Sequence, residues 1–181
     1  WVKELGDLKA ALPYSLTEAQ TRVVREILRD QKSLFPMNRL VQGDVGSGKT
    51  VVALIAIFNV VKCGYQATLM VPTEILASQH YEEAKKLLGP FGIHIELLTG
   101  STSAKEKRRI KEIITTETPM VVIGTHALIQ EDVDFKNLGL VVTDEQHRFG
   151  VEQRNRLINK GRRPDVLVMT ATPIPRTLAL Y

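Results

Sequence analysis

The chain has 181 residues, 44% hydrophobic and 24% charged, with 24 Lys and Arg against 20 Asp and Glu for a net charge of +4. That composition is that of an ordinary soluble globular domain large enough to bury a core, and its small positive excess permits nucleic-acid binding without demonstrating it. The sole cysteine, Cys63, excludes an internal disulfide, and no apolar run reaches the ~20 residues of a membrane span.

The longest apolar run, 51–61, is interrupted by Asn59, and the first residues do not have the basic, apolar and small-residue pattern expected of an export leader. A reducing cytoplasm is the expected location, with no membrane partner. The chain opens on Trp1 rather than methionine and is expected to be one domain, residues 1–181, taken from a longer protein.

In chain order, a helix over 17–30 carries Val23, Val24, Ile27 and Leu28 on one face. A strand over 39–42 leads into a glycine loop. A helix over 49–62 follows, with Gly64 as its stop and Cys63 expected as a buried small hydrophobe at its end. Next come a strand over 67–71, a helix over 74–88 ended by Gly89-Pro90, and a strand over 95–98. A charged helix over 104–114 turns Ile110, Ile113 and Ile114 inward, and strands follow at 120–123, 140–143 and 166–169. The strands are apolar runs rather than in-out alternations, as sheets covered on both faces require. Strand–helix alternation predicts an α/β fold with a parallel, doubly wound sheet. Ligands of such sheets gather at the carboxyl ends of the strands.

Two motifs belong at that edge. Gly43-Asp44-Val45-Gly46-Ser47-Gly48-Lys49-Thr50 matches G-x-x-x-x-G-K-[ST] in full, between a strand and a helix. The glycines let backbone N–H groups curl around phosphate oxygens, and the helix N-terminus adds partial positive charge. Lys49 is expected on the β- and γ-phosphates of ATP and the Thr50 hydroxyl on Mg²⁺. The second motif is the strand Leu140-Val141-Val142-Thr143 ending in Asp144-Glu145. Asp144 is expected to hold Mg²⁺, and Glu145 to orient and deprotonate the attacking water. Alone, an acidic pair after a strand is a solvated turn; with a complete phosphate loop the two read as a P-loop NTPase.

Longer strings carry a resemblance. Asp144-Glu145-Gln146-His147 is a DExH-type box, and Thr170-Ala171-Thr172 follows the next strand. With Pro72-Thr73-Glu74-Ile75-Leu76-Ala77, Gly124-Thr125-His126-Ala127-Leu128-Ile129 and Met169-Thr170-Ala171-Thr172-Pro173-Ile174-Pro175-Arg176, the chain resembles the first RecA-like motor domain of the RecG family of superfamily 2 DNA helicases, over roughly 12–180. Transcription-repair coupling factors have a similar motor. Gln146, Ser47 and Glu74-Ile75-Leu76 favour RecG over them. An alternative of another class is a P-loop phosphotransferase or nucleotide switch without DNA, which leaves Thr170-Ala171-Thr172 unexplained.

The resemblance assigns further roles. Gln20 matches the glutamine that reads adenine, although Thr17-x-x-Gln20 is also a capping box. Pro72 and Thr73, and Gly124, Thr125 and His126, match segments that grip a nucleic-acid backbone, with Thr99, Gly100 and Ser101 beside them. As bare sequence, Thr73 and Thr125 are ordinary helix caps. Thr170, Ala171 and Thr172 match the segment coupling the nucleotide and nucleic-acid sites, and His147 is placed to sense γ-phosphate or, more simply, to pack.

His80, His94 and His126 form no ligand cluster with cysteine. The run Lys105-Glu106-Lys107-Arg108-Arg109-Ile110-Lys111-Glu112 reads as a solvated helix face, and Arg162-Arg163 as surface. The family further implies branched DNA as partner, a second RecA-like domain in cis that supplies an arginine finger, and an N-terminal wedge domain. Neither domain lies within these residues. The isolated, monomeric domain is expected to bind nucleotide weakly and hydrolyse it hardly at all.

Overall fold

The computed structural model describes residues 8, 10, 18–31, 38–42, 49–129, 133, 135–144 and 165–170. Its elements are α1 (Glu18–Gln31), β1 (Asn38–Gln42), α2 (Lys49–Lys62), β2 (Gln66–Met70), α3 (Glu74–Leu88), β3 (Ile95–Leu98), α4 (Ala104–Ile114), β4 (Met120–Gly124), β5 (Leu138–Asp144) and β6 (Asp165–Thr170). Short 3-10 turns lie at Gly89–Phe91 and His126–Ile129. The strands form one parallel sheet in the order β1-β6-β5-β2-β4-β3. The expected parallel α/β architecture is therefore present.

Alternate residues of the strands supply two core layers. On one face Ala67, Leu69, Val121, Ile123, Leu140, Val142, Leu167 and Met169 pack in a cluster with apolar residues of α1, α2 and α3. On the other, Met70, Met120, Val122 and Val141 meet Ile110 and Ile114 of α4, with Leu128, Val133 and Phe135. Each fully buried Leu, Ile or Phe in these layers contributes roughly 1.5–3 kcal/mol. The chain travels β1 to β2 to β3 with its helices on the first face. It returns β3 to β4 to β5 with α4 on the second, as crossovers of constant hand require.

Helix α2 is buried from Val51 through Val61, because the sheet lies on one side of it and α1 and α3 flank it. Asn59 survives in this apolar run because its Nδ2 donates to Gln31 Oε1 at 2.8 Å, while Gln31 Nε2 donates to the Ala56 carbonyl at 3.3 Å. Gly64, at φ +99°, closes α2: its N–H donates to the Val61 carbonyl and that of Tyr65 to the Val60 carbonyl. This turn overturns the expected burial of Cys63, which is exposed. The helix has ended at Lys62, and the left-handed glycine leads the chain outward before β2 begins.

Thr73 and Ser103 cap α3 and α4, accepting from the N–H groups of Leu76 and Glu106 at 3.2 Å each. Ile113, expected inward with its neighbours, is half-buried against the second layer.

Candidate functional site

The strand register brings the sequence motifs to one edge of the sheet. At the end of β1, Gln42 pairs with Thr170 of β6; beside them Asp144 of β5 pairs with Met169. Strands in a sheet lie about 4.8 Å apart, so the ends of β1 and β5 stand roughly 10 Å apart with β6 between them. The phosphate-loop residues Gly43, Asp44, Val45, Gly46, Ser47 and Gly48 lie outside the described residues, but the segments that bracket them do not. Gln42 ends β1 and Lys49 opens α2, with Thr50 half-buried in its first turn. That turn carries free backbone N–H groups and the positive end of a 14-residue helix. By residue type, Lys49, Thr50 and Asp144 are groups suited to a polyphosphate and a divalent cation. Glu145, His147, Ala171 and Thr172 lie outside the described residues, as does Arg162-Arg163. Gln20 is buried in the first turn of α1.

The second half of the edge holds the other segments. Met70 of β2 pairs with Gly124 of β4, which pairs in turn with Leu98 of β3. Pro72-Thr73, Gly124-Thr125-His126 and Thr99-Gly100 therefore follow three adjacent strands. Thr73, Gly100 and His126 are exposed and Pro72 half-buried, whereas Thr99 and Thr125 are buried. Thr99 is engaged in its own turn, its N–H donating to Thr102 Oγ1 and its hydroxyl accepting from the Ser101 N–H. Gly124 has a steric reason: a Cβ there would stand 2.1 Å from the Leu98 carbonyl oxygen.

Glu74 and Ser101 join these segments. Glu74 accepts the Ser101 N–H and hydroxyl with its two carboxylate oxygens, and Gly100 lies against it. In the sequence Glu74 contributes only to the family resemblance. Its partner, 27 residues on, was not readable.

Behind the edge, Glu96 is buried on β3 and held by Arg109 through two hydrogen bonds of 2.8 and 2.9 Å, with His94 Nε2 at 2.6 Å. Burial pushes its carboxyl up, but the bonds from Arg109 and His94 outweigh that and hold it below the ordinary glutamate value. Glu96 and Glu106 together raise Arg109 further. Among the described residues no cluster of His, Cys, Asp and Glu forms a metal site, and no helix is long and apolar enough to cross a membrane.

Comparison with known proteins matches residues 17–180 to the DEAD/DEAH box helicase family. The chain is 54% identical over 178 residues to the ATP-dependent DNA helicase RecG of Bacillus subtilis, covering 98% of this chain and 26% of that protein. It is 58% identical over 181 residues to RecG of Streptococcus pneumoniae, covering 99% and 27%. It thus spans about a quarter of the length of these relatives. Among solved structures, RecG bound to a three-way DNA junction matches with a TM-score of 0.87 at 54% identity, over 98% of this chain and 24% of that one. The UvsW helicase of bacteriophage T4 matches with a TM-score of 0.71 at 16% identity, over 94% and 60%, and shares the fold.

Proposed function

The chain belongs to the DEAD/DEAH box helicase family, and from that premise we propose that residues 1–181 are the first RecA-like motor domain of an ATP-dependent DNA helicase that remodels branched DNA. The observation that carries this reading is the strand order. β1, β6 and β5 end side by side in Gln42, Thr170 and Asp144, while β2, β4 and β3 end side by side in the segments proposed for nucleic acid. A nucleotide half and a nucleic-acid half thus share one edge, with Thr170 ending the strand between β1 and β5.

In this reading the amides of Gly43 to Gly48 and the α2 N-terminus bind the phosphates of ATP, and Lys49 neutralises the β- and γ-phosphates. Gln20 holds the adenine edge. Thr50 and Asp144 would hold Mg²⁺, which when bound neutralises charge on the phosphates. Glu145 accepts the proton of the attacking water. His147 and Thr170 to Thr172 report the state of the site to Pro72, Thr73, Thr99, Gly100, Gly124, Thr125 and His126, which hold the DNA backbone. For the buried Thr99 and Thr125 the contact is through backbone atoms.

The partner domain in cis supplies the remaining positive charge, so the isolated chain turns over at least ~10³-fold more slowly than the full-length protein. Its single cysteine suits a cytoplasmic setting. The test is ATP-driven unwinding of a branched DNA substrate by the full-length protein, beside Lys49→Ala. Unwinding that needs Lys49 supports the reading; no unwinding and no DNA-stimulated hydrolysis by the unaltered protein overturns it.

A further inference from the structure

The basic run on α4 is not one uniform solvated face. Arg109 is turned back onto the sheet, bonded to Glu96 on β3 and to Glu106 one turn earlier. Lys107, Arg108 and Lys111 instead line a separate groove of about 430 Å³, with Ala104, Glu112 and Thr115. The spacing 104, 107, 108, 111, 115 is a single helical stripe, so the three cations stand over one another along one flank of α4. Among the described lining residues three are cationic and one, Glu112, is acidic.

Its position matters as much as its charge. Helix α4 starts just after β3 ends, at the carboxyl edge, and Lys107 Nζ donates to the Gly100 carbonyl at 3.2 Å. The stripe therefore begins at the last of the segments proposed to hold the DNA backbone and runs away from it along the helix. From Lys107 to Lys111 is one turn, about 6 Å of rise. That suits successive contacts to a strand whose charges repeat every few ångströms.

We propose that Lys107, Arg108 and Lys111 form an extension of the nucleic-acid track that binds the phosphodiester backbone without reading sequence. The proposal rests on the helicase reading above. It adds a site on the outer flank of α4, beyond the strand-end segments.

The test uses the full-length protein and measures affinity for a mixed-sequence oligonucleotide, single- or double-stranded, as salt is varied. Lys107→Gln, Arg108→Gln and Lys111→Gln together are expected to flatten the slope of log K against log salt. The expected change is about 2–3 for duplex and about 2 for single strand, if each residue neutralises one phosphate. The strand form on which the slope falls identifies which backbone the groove takes. Arg108→Gln alone, at an exposed position, is expected to flatten it by about 1. Lys85→Gln with Lys86→Gln, which removes two charges from the last turn of α3 at the far end of that helix, is the control and is expected to leave the slope unchanged. Unaltered slopes in the triple and single variants, or an equal change in the control, overturn the proposal while leaving the helicase reading intact. An unaltered protein that binds neither oligonucleotide at any salt overturns both.

Discussion

Glu74, on the first turn of α3, grips Ser101 after β3 with both oxygens of its carboxylate: Oε1 accepts the backbone N–H at 3.0 Å and Oε2 accepts the hydroxyl at 2.6 Å. Two loops that follow strands at different places in the sheet are thereby held at one separation. Because the pair is exposed, its effect on global stability is small, within about 1 kcal/mol. Its effect on local opening is the larger one. In Glu74→Ala the Ser101 amide keeps only the longer bond to the Thr99 hydroxyl and is expected to exchange with solvent several-fold faster, with an intermediate rate in Glu74→Gln, which keeps one acceptor. Unchanged exchange at Ser101 in Glu74→Ala would show that the carboxylate does not hold this loop.

Gly124 ends β4 where the Leu98 carbonyl passes too close for any side chain, 2.1 Å from the position of a Cβ. Gly124→Ala must push the β3 backbone aside and strain the bond from the Thr125 N–H to that carbonyl. The expected cost is about 3 kcal/mol in thermal or urea unfolding. A variant that unfolds with the unaltered midpoint contradicts this packing.

Arg109 and His94 hold the Glu96 carboxyl below its ordinary value of 4.5. A group lowered on folding adds stability that is complete above its unfolded value and is lost as the pH falls through the folded one. Glu96→Gln is expected to destabilise by about 1–3 kcal/mol near pH 7. The difference from the unaltered protein should shrink steadily below about pH 4.5. Urea titrations across pH 7 to 3 measure this directly; a difference that stays constant with pH would assign the loss to packing rather than charge.

Much of the fold was legible because it is written locally. The apolar runs of a doubly covered sheet and the helix bounds 49–62, 74–88 and 104–114 follow from composition and caps alone. Strand ends were less legible. Gln66 looks like a loop residue, yet it opens β2 fully buried. Its carboxamide donates to the carbonyls of Ile114 and Thr116 and accepts the Asn137 N–H. Those partners lie 48 to 71 residues away, where no local pattern reaches. Cys63 was misjudged for a related reason. The preference of free cysteine for burial was weighed without the outward turn that Gly64 imposes. At the candidate site, Asp144 and Thr170 at strand ends and Lys49 at a helix start were legible from motif and periodicity, whereas the strand order and the Glu74–Ser101 and Glu96–Arg109 pairs depend on which loops and strands become neighbours.

In the proposed function Lys49, Thr50 and Asp144, at the carboxyl edge of β1, β6 and β5, would hold ATP and Mg²⁺ together. Hydrogen-exchange mass spectrometry of the full-length protein, with and without Mg²⁺ and a slowly hydrolysed ATP analogue, tests it most directly. Protection is expected in peptides that contain Lys49-Thr50, Thr143-Asp144 and Thr170. None is expected at Gln66, Ile95, Met120 or Leu138, the opposite ends of neighbouring strands, and all protection should vanish in Lys49→Ala. Protection confined to those opposite ends, or unaltered by Lys49→Ala, would contradict the claim.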